Sequence, residues 1–164
     1  NWLKEARSRG FMLLSPTSGE QTWSLESAQE DLSKILKAID NLSERSAINL
    51  EKILITGMSD GATFSMLAGL KKSTPFTHIA AFSGIMPASL GQMNAEKYAT
   101  DRPVFLVHGT KDNIFPVETA FLTKTELEAA EVEVTLTTKK GLGHTYARDE
   151  HDSLLNWFDP KLAL

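Results

Sequence analysis

The chain has 164 residues, 41% of them hydrophobic, and a formal net charge of −4. That length and composition suit one folded domain, 1–164, and exclude a disordered chain. Basic residues are dispersed, so neither nucleic acid nor an anionic membrane surface is an expected partner, and no stretch approaches the roughly 18 apolar residues of a membrane span.

There is no cysteine, which excludes disulfides and thiolate metal sites and fits a reducing, cytoplasmic location. No signal peptide is visible. The chain opens on Asn1 rather than methionine, which predicts a processed product or a piece of a longer protein.

In chain order, Phe11-Met12-Leu13-Leu14 is a short apolar run that predicts a buried strand. Ser15 to Gly19 is loop chemistry. From Ser24, an N-cap candidate, the apolar residues Leu25, Ala28, Leu32, Ile35, Ile39 and Leu42 recur at helical spacing. Lys52 to Thr56 predicts a second buried strand, Ser59 to about Lys71 a helix, and His78 to Phe82 a third strand. Pro103 to Val107 predicts a fourth strand and Pro116 to about Ala130 a helix that opens on proline. Val132 to Thr138 alternates as a strand at a sheet edge does, and Tyr146 to Phe158 predicts a last helix. Apolar strands separated by helices predict a mostly parallel sheet with helices on both faces, and chemistry at the carboxyl ends of the strands.

Gly57-Met58-Ser59-Asp60-Gly61 follows a predicted strand and opens a predicted helix, the context of a nucleophile elbow. Such a turn lifts the serine hydroxyl above the sheet, while the next amide, that of Asp60, can donate to a developing oxyanion. A serine nucleophile needs a base, and the base needs an orienting acid. Asp112, after the fourth strand, and His144, after the fifth, lie at the same sheet end in the order Ser, Asp, His. The other histidines, His78, His108 and His151, read as structural or exposed, and Asp149, Glu150 and Asp152 as a solvated helix face without a compact metal pattern. Neither a phosphate-binding loop nor a dinucleotide fingerprint occurs. No cofactor and no metal are expected.

Four stretches together carry a resemblance: Ile55 to Ala62, His78 to Gly84, Val107 to Asp112 running on to Pro116, and Gly143-His144. They resemble the phospholipase/carboxylesterase family of α/β-hydrolases, which includes acyl-protein thioesterase-like esterases. The resemblance implies an α/β-hydrolase fold, with Ser59 as nucleophile, Asp112 as acid, His144 as base and the Asp60 amide as half of an oxyanion hole. It also implies that Ser83 to Pro87, with Ile85 and Met86, borders the acyl pocket; Met58 is a further candidate for its lining or for simple packing. Asp60 stands where many members carry glutamine. Members also have an earlier strand ending in a His-Gly-rich loop that donates the second oxyanion amide, and no such strand precedes Phe11. The expectation is the C-terminal two-thirds to three-quarters of such a domain, its N-terminal part absent. A complementing N-terminal segment or a second copy in a homodimer would supply the rest. The expected activity is hydrolysis of a small-molecule carboxylic ester, with thioesters or lysophospholipids as further substrates. The alternatives are a peptidase, a polyester depolymerase, or a non-catalytic binding module.

Overall fold

The computed structural model describes residues 1–86 and 98–163. Four parallel strands form one sheet: β1 (Leu54–Met58), β2 (His78–Phe82), β3 (Val104–Gly109) and β4 (Val134–Lys139), paired in that order. Leu54 pairs with His78, Ile79 with Val104, and Val104 with Val134. The expected parallel sheet is therefore present, with β4 at its rim, as its alternating sequence predicts.

Side-chain alternation divides the core between the two faces. Ile79, Ala81, Val104 and Leu106 point to one face and meet Met66 of α3 (Asp60–Gly69) and Leu127 of α4 (Val117–Ala129). Beside them, Ala28, Leu32, Ile35 and Ile39 of α2 (Ala28–Arg45) pack on Phe64 and Ala68 of α3. Ala80, Phe82, Phe105 and Val107 point to the other face, against Leu154 of α5 (His151–Phe158) and Trp2 of α1 (Trp2–Arg9).

Several local expectations are corrected. Phe11 to Leu14 forms no strand. Met12, Leu13 and Leu14 are 53%, 42% and 39% exposed, because no neighbouring strand pairs with the run. Helix α1 lies outside the predicted elements, although its ends are written in the sequence. Asn1 accepts a hydrogen bond from the Leu3 amide at 3.0 Å, Gly10 closes the helix at φ 76°, and Glu5 pairs with Arg9 one turn on. Helix α2 starts at Ala28, not near Ser24. Ser24 instead takes the Ser27 amide at 3.2 Å in the preceding turn, leaving Leu25 exposed. The last helix begins as a short 3₁₀ turn, Arg148–Glu150, before α5. Among the described residues no helix is long and apolar enough to cross a membrane.

Candidate active site

The turn from β1 into α3 is built for close approach. A Cβ at Gly57 would run into the carbonyl of Gly61, so strand and helix can meet only with glycine there. Ser59 between them adopts φ 56°, ψ −122°, a left-handed conformation that a non-glycine residue holds only when its surroundings enforce it. Its amide is tied to the Phe82 carbonyl at 2.9 Å, and its own carbonyl receives the amides of Ala62 and Thr63. The Asp60 amide is the first of α3, one of the N–H groups for which a helix has no internal acceptor.

The structure brings Ser59, His144 and Asp112 into one line. His144 Nε2 lies 2.9 Å from Ser59 Oγ, and His144 Nδ1 lies 2.8 Å from Asp112 Oδ2. A carboxylate accepts, so Nδ1 carries the proton and Nε2 is free to accept from the serine hydroxyl. The Asp112 side chain is fully buried and that of His144 is 12% exposed, so the carboxylate is sealed while the imidazole reaches the surface. Burial alone would raise the Asp112 carboxyl, but the amides of Phe115 and Ile114 and the His144 ring together outweigh it and hold it below its ordinary value. Both amides donate to Asp112 Oδ1 at 2.9 Å. The loop carrying His144 folds down onto β3 at Gly109, where a Cβ would collide with the Leu142 carbonyl.

The Asp60 side chain accepts from Thr22 Oγ1 at 2.7 Å. That bond stitches the Ser18 to Trp23 loop to the turn at Ser59. Buried Asp31 anchors the other end of the loop, accepting from Ser18 Oγ at 2.7 Å and from the Gly19 amide at 2.9 Å. Next to Thr22, Trp23 packs its ring 4.7 Å from that of Phe64. These contacts were not read from the sequence. The Thr22–Asp60 and Trp23–Phe64 contacts join segments about forty residues apart, and the one signal for the loop's anchor is Asp31, a carboxylate beside the apolar stripe of α2.

The pocket candidates divide. Met58 packs in the cluster of Phe82, Ala147 and Tyr146. Ile85 is held by Thr63 Oγ1, which donates to its carbonyl at 3.1 Å. The Met86 amide donates to Thr123 Oγ1 at 3.2 Å, and its side chain lies against the cluster that contains Leu127. Pro87 falls outside the described residues. An open groove of about 510 Å³ lies on the far flank of α3, between Leu25, Leu32, Phe64 and Lys71, and none of these candidates lines it.

The remaining titratable residues differ partly from expectation. In the acidic cluster before and in α5, Asp149 and Asp152 are exposed as expected and pair with Lys139 at 2.7 Å and with Arg9, whereas Glu150 is buried and pairs with Lys139 at 2.6 Å. His151 is buried against Trp2, with ring centres 4.4 Å apart, and His108 is buried beside Asp112. Among the described residues no group of three acidic or histidine side chains could hold a metal ion.

The geometry has clear relatives. A profile of the phospholipase/carboxylesterase family matches residues 14–159. Acyl-protein thioesterase 1 of Neurospora crassa is 25% identical over 120 residues, covering 71% of this chain and 49% of the relative. Acyl-protein thioesterase 1 of Yarrowia lipolytica is 26% identical over 148 residues, covering 82% and 63%. The chain thus spans about half to three-fifths of the length of these curated relatives. Among solved structures, esterase PE8 superposes with a TM-score of 0.69 at 25% identity, covering 83% of this chain and 62% of that one. The carboxylesterase of Bacillus cereus shares the fold, with a TM-score of 0.65 at 19% identity over 83% and 62% of the two chains. With its α/β-hydrolase sheet and a family match across most of its length, the chain belongs to the phospholipase/carboxylesterase family.

Proposed function

We propose that this chain is the catalytic part of a serine hydrolase acting on carboxylic esters through an acyl-enzyme. The observation that carries the reading is the continuous line from Ser59 Oγ through both nitrogens of His144 to Asp112 Oδ2. In this reading His144 Nε2 takes the Ser59 proton as Oγ attacks the ester carbonyl. The oxyanion forms beside the Asp60 amide, at the positive end of the α3 dipole. Asp112 holds the His144 tautomer and stabilises the imidazolium without taking its proton. The imidazolium protonates the leaving alcohol, and water activated by the same histidine frees the acid and restores Ser59. None of these steps uses a cofactor or a metal.

Ile85 and Met86 form a wall of the acyl pocket, and Met58 fills the core beneath the elbow. Thioesters and lysophospholipids are the next substrates to try, because the curated relatives described above are named acyl-protein thioesterases. The second oxyanion amide comes from outside the described residues, delivered at the rim strand β1 by a complementing segment or a second copy. The reading keeps the protein in the cytoplasm, which its lack of cysteine suits.

The test is turnover of p-nitrophenyl esters of increasing chain length, compared with a thioester and a peptide anilide. The reading predicts ester turnover that disappears in Ser59→Ala. Preference for the anilide would favour the peptidase alternative. No turnover of any of them by a folded chain would favour a binding module.

A further inference from the structure

Beside the triad lies a second histidine that the proposed mechanism leaves unused. His108 is the penultimate residue of β3, is 2% exposed, and points Nε2 at the Phe115 carbonyl, 2.7 Å away. A carbonyl can only accept, so Nε2 carries a proton and His108 is the donor. The same nitrogen is 3.5 Å from Asp112 Oδ2, too far to compete well for the oxygen that receives His144 Nδ1 at 2.8 Å.

Phe115 is the point where these contacts converge. Its amide donates to Asp112 Oδ1 at 2.9 Å, its carbonyl receives His108, and its ring stands edge-on to His144 with centres 5.4 Å apart. Between Asp112 and Phe115 the chain has no regular secondary structure, and its shape rests on the Ile114 and Phe115 amides at Asp112 and on His108 at the Phe115 carbonyl. From this arrangement we infer that His108 is a positioning residue for the triad. By clamping the Phe115 carbonyl it fixes Phe115, whose amide, together with that of Ile114, orients the Asp112 carboxylate, and so the line from Asp112 to Ser59. The inference rests on the proposed serine-hydrolase reading.

A residue that merely filled space could be replaced by leucine without kinetic consequence. A clamp could not, because a misplacement of about 1 Å in such a constellation costs on the order of 100-fold in rate. Three variants of the full chain separate the two roles. Glutamine carries an amide nitrogen near the place of Nε2 and can donate to the Phe115 carbonyl. Asparagine is too short to reach it, and leucine has no donor. The inference predicts that His108→Leu and His108→Asn lose ~10- to 100-fold in kcat on a p-nitrophenyl ester, with KM within about two-fold, while His108→Gln stays within about three-fold of the parent. It also predicts that the low-field proton resonance of the His144–Asp112 bond persists in the parent and His108→Gln and is lost or shifted in His108→Leu.

Equal kcat for the glutamine and asparagine variants would overturn the inference, as would an unchanged resonance and rate in a folded leucine variant. If leucine prevents folding, the glutamine and asparagine pair still decides. A folded parent chain that turns over no ester would instead count against the serine-hydrolase reading, and its low-field resonance would still report on the clamp.

Discussion

Two flanks of the sheet handle buried polarity in opposite ways. At the carboxyl ends of β3 and β4, buried Asp112 and His108 have hydrogen-bond partners, and every partner comes from the loops at 108–115 and 141–144. On the face covered by Trp2, three buried polar atoms, Thr56 Oγ1, Tyr146 Oη and His151 Nε2, have none among the described residues. The Trp2 indole nears the Tyr146 hydroxyl, but outside hydrogen-bond geometry. An unpartnered buried polar group costs about 1–3 kcal/mol. The chain therefore spends its stability unevenly: the proposed acid and base stand on a satisfied network, while the cover over β1 is the weaker part.

The comparison can be pressed hardest at the satisfied end. Asp112→Asn keeps the shape of the side chain but turns the His144 tautomer, and should cut kcat by about 10⁴-fold with the fold unchanged in circular dichroism. A loss below ten-fold would mean that the line from Asp112 to Ser59 does not carry the chemistry. Gly57→Ala attacks the elbow itself. Its Cβ would meet the Gly61 carbonyl, so it should destabilise by about 1–3 kcal/mol and lose labelling at Ser59 as well, read by thermal unfolding and by a fluorophosphonate probe.

The flanks should also separate with pH. Burial holds the His151 ring below the ordinary histidine value of about 6.5. Its contribution to stability is therefore present above that pH and drains away as pH falls through the folded value, because the unfolded chain takes the proton first. Asp112 and Asp31 are also lowered, but from ordinary values of about 3.9, so their contributions are lost only below that. Softening should thus begin on the α1 flank between about pH 6.5 and 4, with the triad flank following in stronger acid. Hydrogen exchange resolved along the chain reads the order, and His151→Gln should shrink the first phase, the remainder belonging to His78, whose ring burial also holds below the ordinary value. Protection lost first in the 108–115 loop would reverse the comparison.

The smallest effect has the less intuitive sign. Thr56→Val and Tyr146→Phe each remove an unpartnered oxygen, and each should leave stability unchanged or raised by up to about 1 kcal/mol. A loss above 1 kcal/mol in urea unfolding would show that these oxygens do find partners.

Much of this was legible in the sequence, and the exceptions are instructive. His78 to Phe82 was read to the residue, because a buried parallel strand is an unbroken apolar run with abrupt ends. β1 runs on to Met58, two residues past its expected end, because the strand pairs with β2 up to Phe82 whatever the propensity of Gly57. Phe11 to Leu14 had the same apolar signature as a strand and is none, since a run of side chains does not say whether a neighbour exists to pair with it. Ser59, Asp112 and His144 were legible because each sits in a local motif at a strand end. His108–Phe115 and Thr22–Asp60 were not, because a backbone carbonyl carries no sequence signal and the Thr22–Asp60 contact exists only after folding.

In the proposed mechanism Ser59 is a nucleophile activated by the satisfied flank. Active-site titration with a fluorophosphonate probe, with the adduct located by mass spectrometry, tests it most directly. One adduct per chain is expected, on Ser59, absent in Ser59→Ala and formed far more slowly in Asp112→Asn. A folded chain that takes no label, or takes it at another residue, would contradict it.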